Sequence, residues 1–173
     1  MTDFGDEISS HPATWPEGRL LKHCSSRRQR RSGPGGQHRN KVETAVVYEH
    51  ELTSVTGSAN EKRSQEANRK VALFRLRVNL ALAVRCSAQP RCSDLWSRRC
   101  ARRKLQINPR HDDFPSLLSE ALDQVLESQG DLEPAAALLE CSKSQLFKFL
   151  KLEPRAAQLV NDVRESRGLK RLK

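Results

Sequence analysis

The residues best suited to chemistry lie together in Arg31-Ser32-Gly33-Pro34-Gly35-Gly36-Gln37-His38-Arg39-Asn40-Lys41. Three glycines and a proline across positions 33–36 cannot sit inside a regular helix or strand, so this stretch is expected to form an exposed, permissive loop. A Gly-Gly pair lets the main chain come close to a ligand and reach φ values that other residues avoid. Gln37 then places an amide donor, an amide acceptor and a backbone N–H at the end of that approach. Arg27, Arg28, Arg30 and Arg31 precede the glycines, and Arg39 and Lys41 follow. Such a loop suits a site walled by phosphate. A Walker cradle needs Gly-Lys followed by Ser or Thr, which is absent. A dinucleotide fingerprint needs an apolar strand before it, and Ser25–Arg31 is far too polar. No Ser sits in a nucleophile elbow, so a Ser–His–Asp triad is unsupported.

The run Ser32-Gly33-Pro34-Gly35-Gly36-Gln37-His38 with Asn40-Lys41 resembles the signature loop of the catalytic domain of class I peptide chain release factors. Arg63-Ser64-Gln65, Asn68 and Ala72 resemble the start of that domain's long helix, and the resemblance covers residues 20–86. Arg39 departs from the family, which usually carries a small apolar residue there. The resemblance implies hydrolysis of the ester between peptide and tRNA in the rRNA of the peptidyl-transferase centre. Gly35, Gly36 and Gln37 would be the catalytic tip, with Ser32, Gly33, Pro34, His38, Asn40 and Lys41 supporting the loop. An activated ester attacked by water needs no strong nucleophile from the protein. It needs one oriented water and a donor for the developing oxyanion, and the Gln37 N–H is such a donor. His38 is read as structural, because no partner carboxylate lies near it in sequence. Full release factors read stop codons with further domains, and the stretch before the loop is too short for one. The similarity is therefore closer to the small codon-independent proteins that rescue stalled ribosomes. It implies the ribosome and peptidyl-tRNA as partners, with the mRNA channel and a glutamine methyltransferase acting on Gln37 as further candidates.

The elements that must position this loop form an α+β catalytic domain over residues 19–86: a small sheet packed by one long helix. Residues 43–49 and 53–58 read as strands joined by a turn near His50–Leu52. Asn60 and Ser64 are both credible caps for a helix running to about Arg85, its stripe Ala67, Val71, Phe74, Val78 and Ala81 widened by Leu73, Leu76 and Leu80. Residues 1–18 read as disordered. Residues 87–113 read as a basic linker with a brief strand at Leu105–Ile107. Residues 114–173 read as a helical unit: a helix over Phe114–Ser128, Leu132–Glu140, a turn at Cys141–Lys143, a second helix to Leu152 capped by Ser144, and a third over Arg155–Arg167. The Ala136, Cys141, Ser144 and Leu146 spacing resembles a helix-turn-helix, although a plain three-helix bundle explains it equally well. Lys143, Lys148 and Lys151 could touch phosphate there.

Charge is laid out in blocks. Arg19–Lys41 holds eight basic residues and no acid, Arg85–His111 holds eight with Asp94 the only acid, and Asp112–Glu140 holds eight acids and no Lys or Arg. With a net charge of +10 and 30% charged residues, a polyanionic partner is expected. The RNA-contacting set is Arg27, Arg28, Arg30, Arg31, Arg39, Arg63, Arg164, Arg167, Lys170, Arg171 and Lys173. An acidic start and no run of about 20 apolar residues argue for a cytoplasmic monomer without a membrane segment. Cys86, Cys92, Cys100 and His111 lack a C-x-x-C pair, so neither metal nor cofactor is expected. Two other readings compete with the esterase. One is a non-catalytic RNA- or DNA-binding protein acting through its C-terminus, and the other is a stop-codon-dependent factor aided by a partner.

Overall fold

The computed structural model describes residues 10–29 and 44–173. The chain divides into two compact units, residues 1–84 and 85–173. In the first, a 3₁₀ turn (Pro12–Thr14) and α1 (Glu17–Lys22) lead into β1 (Cys24–Gln29). β2 (Ala45–His50), β3 (Val55–Ala59) and α2 (Gln65–Ala83) follow. Among the described residues these strands form one antiparallel sheet in the order β1-β2-β3. The register places Cys24 opposite His50 and Gln29 opposite Ala45 on one side of β2, and Val46 opposite Ala59 on the other.

One face of the sheet is buried by α2. Val46, Tyr48 and His50 alternate inward on β2 with Gly57 and Ala59 on β3, the two-residue period of a half-covered sheet. Gly57 permits the closest approach: a Cβ there would lie 2.3 Å from the Leu76 N and 2.4 Å from the Ala72 carbonyl oxygen. Ser64 is the cap of α2, its hydroxyl accepting from the Ala67 N–H at 3.3 Å. Most of the expected helical stripe faces inward: Leu73, Leu76, Val78, Leu80 and Ala81 are buried together with Asn68 and Ala72, whereas Ala67, Val71 and Phe74 are half-buried.

Two expectations fail here. Residues 10–18 are folded rather than disordered. Trp15 is buried, with the Arg19 guanidinium 4.2 Å above its ring, and Arg77 of α2 donates to the Ala13 and Trp15 carbonyls. One aromatic anchor and three captured carbonyls (His11 Nε2 also lies 3.1 Å from the Val84 oxygen) outweigh the low local hydrophobicity. The second miss is β1: Cys24-Ser25-Ser26-Arg27-Arg28-Gln29 is polar because it is an edge strand that α2 does not cover.

The second unit comprises α3 (Asp94–Arg99), a two-residue hairpin of β4 (Cys100–Ala101) and β5 (Lys104–Leu105), then α4 (Phe114–Glu127), α5 (Leu132–Leu138), α6 (Lys143–Leu150) and α7 (Pro154–Ser166). The segment expected as a linker is therefore part of a folded body. Trp96 of α3 is buried, packs edge-on to Phe149 at 5.7 Å and donates its indole N–H to the Leu139 oxygen at 2.7 Å. Ser93 caps α3, and its hydroxyl and N–H both bond Glu120. The brief strand is Lys104–Leu105, earlier than expected, because its partner Cys100–Ala101 follows directly on α3. Leu117, Leu122, Leu146, Leu150 and Val160 fill the core between α4, α6 and α7. The cap of α6 is Ser142 rather than Ser144, its hydroxyl accepting from the Gln145 N–H at 3.2 Å. No helix among the described residues is long and apolar enough to cross a membrane.

Candidate functional site

The segment that carries the glycine pair and Gln37 joins two neighbouring strands. β1 ends at Gln29, β2 begins at Ala45, and these two residues are register partners. The described residues that flank the segment are therefore held a single strand spacing apart. Gly35, Gly36 and Gln37 lie outside the described residues, as do Arg30, Arg31, Ser32, Gly33, Pro34, His38, Arg39, Asn40 and Lys41.

What the fold does supply is the anchorage. Asn68, fully buried in the first turn of α2, donates to the Thr44 oxygen at 2.7 Å, the last residue before β2. The same amide donates to the Lys62 oxygen at 3.0 Å and accepts from the Lys62 N–H at 2.9 Å. One side chain thus ties the C-terminal end of the segment to the β3–α2 turn and to the helix. A polar residue on the inward face of a helix is costly unless fully bonded, and Asn68 is. Tyr48, buried on β2, accepts from Arg69 Nε at 3.1 Å through its phenol oxygen. Beside this pair a cleft of about 220 Å³ opens over β1, lined by Leu21, Cys24, Ser26, Val46, Tyr48, Gln65 and Arg69. Burial pushes the Cys24 thiol up to about 11, and Glu51 adds to the shift, so Cys24 is no nucleophile at neutral pH.

The basic residues of the expected RNA surface separate into two groups. Arg27 on β1 is exposed and pairs with Glu49 of β2 at 2.8 Å, and Arg28 holds the register position opposite Val46. Arg63 is exposed in the turn before α2. In the second unit, Arg164 is structural: it donates to the Gly130 oxygen at 2.6 Å and to the Lys170 oxygen at 2.9 Å. Asn161 clamps the backbone of Leu172 through both its amide groups, and Arg171 pairs with Glu165 at 2.7 Å. The C-terminal residues fold back on α7, which leaves Arg167, Lys170 and Lys173 as exposed cations without an ion pair among the described residues. The five cysteines are free thiols, and His111 is engaged by Arg99 and by the Asp113 N–H.

The RF-1 domain matches residues 22–111, just over half of the chain. The chain belongs to the RF-1 domain family. The resemblance carried by Ser32–Lys41 and by Arg63–Ala72 is thereby borne out at the level of the class I release factor catalytic domain, as is the α+β fold. The RF-1 region runs beyond residue 86 to His111, taking in α3 and the β4–β5 hairpin. Over 51 residues the chain is 47% identical to peptide chain release factor 1 of Caldicellulosiruptor saccharolyticus, a stretch covering 30% of this chain and 14% of that protein. It is 51% identical over 51 residues to the chloroplastic peptide chain release factor PrfB1 of Arabidopsis thaliana, 30% of this chain and 11% of that one. With release factor 1 of Acidiphilium cryptum it shares 44% over 59 residues, 34% of this chain and 17% of the relative. The chain thus spans less than a fifth of the length of these relatives. No solved structure matches it.

Proposed function

We propose that this chain is a ribosome-dependent, codon-independent esterase that releases the nascent peptide from peptidyl-tRNA on stalled ribosomes, acting in the cytoplasm. The observation that carries the reading is the placement of Gly35-Gly36-Gln37 in the segment between register partners Gln29 and Ala45, inside the RF-1 region and pinned at Thr44 by Asn68. Relatives that share this region bear the name of peptide chain release factor, which supports a role in peptide release.

The chemistry asks little of side-chain basicity. Water attacks the ester carbonyl, the C–O bond to the tRNA 3′ oxygen breaks, and the proton ends on that leaving oxygen. The Gln37 N–H donates to the oxyanion or to the departing oxygen, and the Gln37 side chain admits water while excluding larger nucleophiles. Gly35 and Gly36 let this N–H approach without a Cβ in the way. The arginines before and after the glycines hold the segment among rRNA phosphates. Methylation of Gln37 by a glutamine methyltransferase is compatible with this role, since it leaves the backbone N–H intact.

Codon independence is tested by peptide release on purified ribosomal complexes whose mRNA ends in the P site, compared with complexes holding a stop codon in the A site. Release on the truncated complexes supports the proposal. Release only with a stop codon would make the chain a codon-dependent factor working with a partner.

A further inference from the structure

The esterase chemistry leaves the short helices α5 and α6 of the second unit without a task. We infer that the outer side of α6 and the tip of the β4–β5 hairpin form a face that binds the phosphate backbone of double-helical RNA. The choice of RNA over DNA rests on the ribosomal reading of the first unit, whereas the phosphate-binding face does not.

The turn between α5 and α6 is closed by the Cys141 N–H donating to the Ala136 oxygen at 3.0 Å, with Glu140 in the left-handed region at φ 51°. α6 then buries Leu146, Phe147, Phe149 and Leu150, leaving Ser144 and Lys148 on its exposed side, with Lys151 one turn further on. The hairpin is attached to this same turn: Arg103 donates to the Cys141 oxygen at 3.1 Å, and the Cys100 sulfur lies 3.8 Å from the Glu140 oxygen. Its two central residues are Arg102 at φ 49° and Arg103 at φ 62°, a conformation for which Asn-Gly is the unstrained choice. Arginine at both positions is a local cost, and sites holding such strain are disproportionately functional.

Several cations elsewhere in the unit are held in ion pairs. Lys143 is taken by Glu133, Arg99 by Asp113, Arg155 by Glu153 and Arg171 by Glu165. Arg102, Lys104, Lys148 and Lys151 are exposed and have no ion pair among the described residues. The outer side of α6 offers mainly ammonium and hydroxyl groups, with Gln145 half-buried, a set suited to phosphate contact and to recognition by helix shape.

The test is fluorescence anisotropy of the full chain with an RNA duplex of about 16 base pairs and a DNA duplex of the same length, each over a salt series. The double variants Arg102→Ala/Lys104→Ala and Lys148→Ala/Lys151→Ala are each expected to bind RNA about tenfold more weakly, with a salt slope lower by about 2. All four side chains are exposed, and an unchanged thermal midpoint confirms that the variants fold. Lys148→Arg/Lys151→Arg keeps wild-type affinity. Double variants that bind within twofold of wild type would overturn the proposal, as would DNA bound more tightly than RNA. A Gln37→Pro protein that still releases peptide at the wild-type rate would sink the esterase reading while leaving this binding comparison intact.

Discussion

The Asn68 carboxamide is fully buried, and its three hydrogen bonds reach the Thr44 oxygen and both main-chain groups of Lys62. Removing it strands three buried or half-buried backbone groups, so Asn68→Ala is expected to cost the first unit about 3 kcal/mol, readable as a shift in urea midpoint. The same variant frees the end of the segment that carries Gln37. Peptide release at saturating ribosomes should then fall about tenfold or more while ribosome affinity stays put. The tip is read from the sequence alone, where Gly-Gly followed by Gln in an arginine-rich setting has few structural explanations, and it lies outside the described residues. The partner of Asn68 was not legible in the sequence: a contact 24 residues away depends on the tertiary fold, and a polar residue on the inward face leaves no mark in the apolar spacing. Arg164 was misread for a similar reason. Its charge suggested RNA, yet its Nε and Nη1 donate to two carbonyls within one unit.

At the scale of elements, the contact between Gly57 and the backbone of α2 sets how closely the helix covers the sheet. Gly57→Ala must push Leu76 and Ala72 away, since both nearest atoms are main chain, and should destabilise the first unit by about 3 kcal/mol. Gly18→Ala, in α1 with nothing within 4 Å of the added Cβ, should instead gain about 0.5–1 kcal/mol in the same measurement. β2, β3, α2, α4 and α7 could be read within a few residues, because each carries its own period and cap or proline. β1 could not, being polar on an uncovered edge, and neither could α3, whose apolar content is chiefly Trp96. Both are defined by what packs against them rather than by their own pattern.

For the molecule as a whole, the two units are expected to answer acid in opposite senses. In the first, burial and the nearby His23 hold the His50 imidazole below its ordinary value of 6.5, and its Nε2 is buried with no hydrogen-bond partner among the described residues. The unfolded chain therefore takes up the proton first, and stability present above pH 6.5 is lost as pH falls below it. In the second, burial lifts the Asp123 carboxyl from 3.8 to about 6 despite the Arg85 guanidinium beside it. Here the folded form takes up the proton first, so stability is lower above pH 6 and is regained as pH falls through that value. Trp15 reports the first unit and Trp96 the second, and the chain has no other tryptophan. Denaturation of Trp15→Phe and Trp96→Phe proteins at pH 7.5 and 5.5 should show midpoints moving in opposite directions.

In the proposed mechanism the Gln37 main-chain amide, delivered by Gly35 and Gly36, promotes ester hydrolysis on the ribosome. Single-turnover release of labelled peptide from stalled ribosomes tests it most directly, with wild type set against Gln37→Pro, which removes that N–H, and Gln37→Ala, which keeps it but loses the water-selecting side chain. Abolished release with Gln37→Pro, and hydrolysis with Gln37→Ala that no longer favours water over small amine nucleophiles, is the predicted result. Release by Gln37→Pro at the wild-type rate would contradict it.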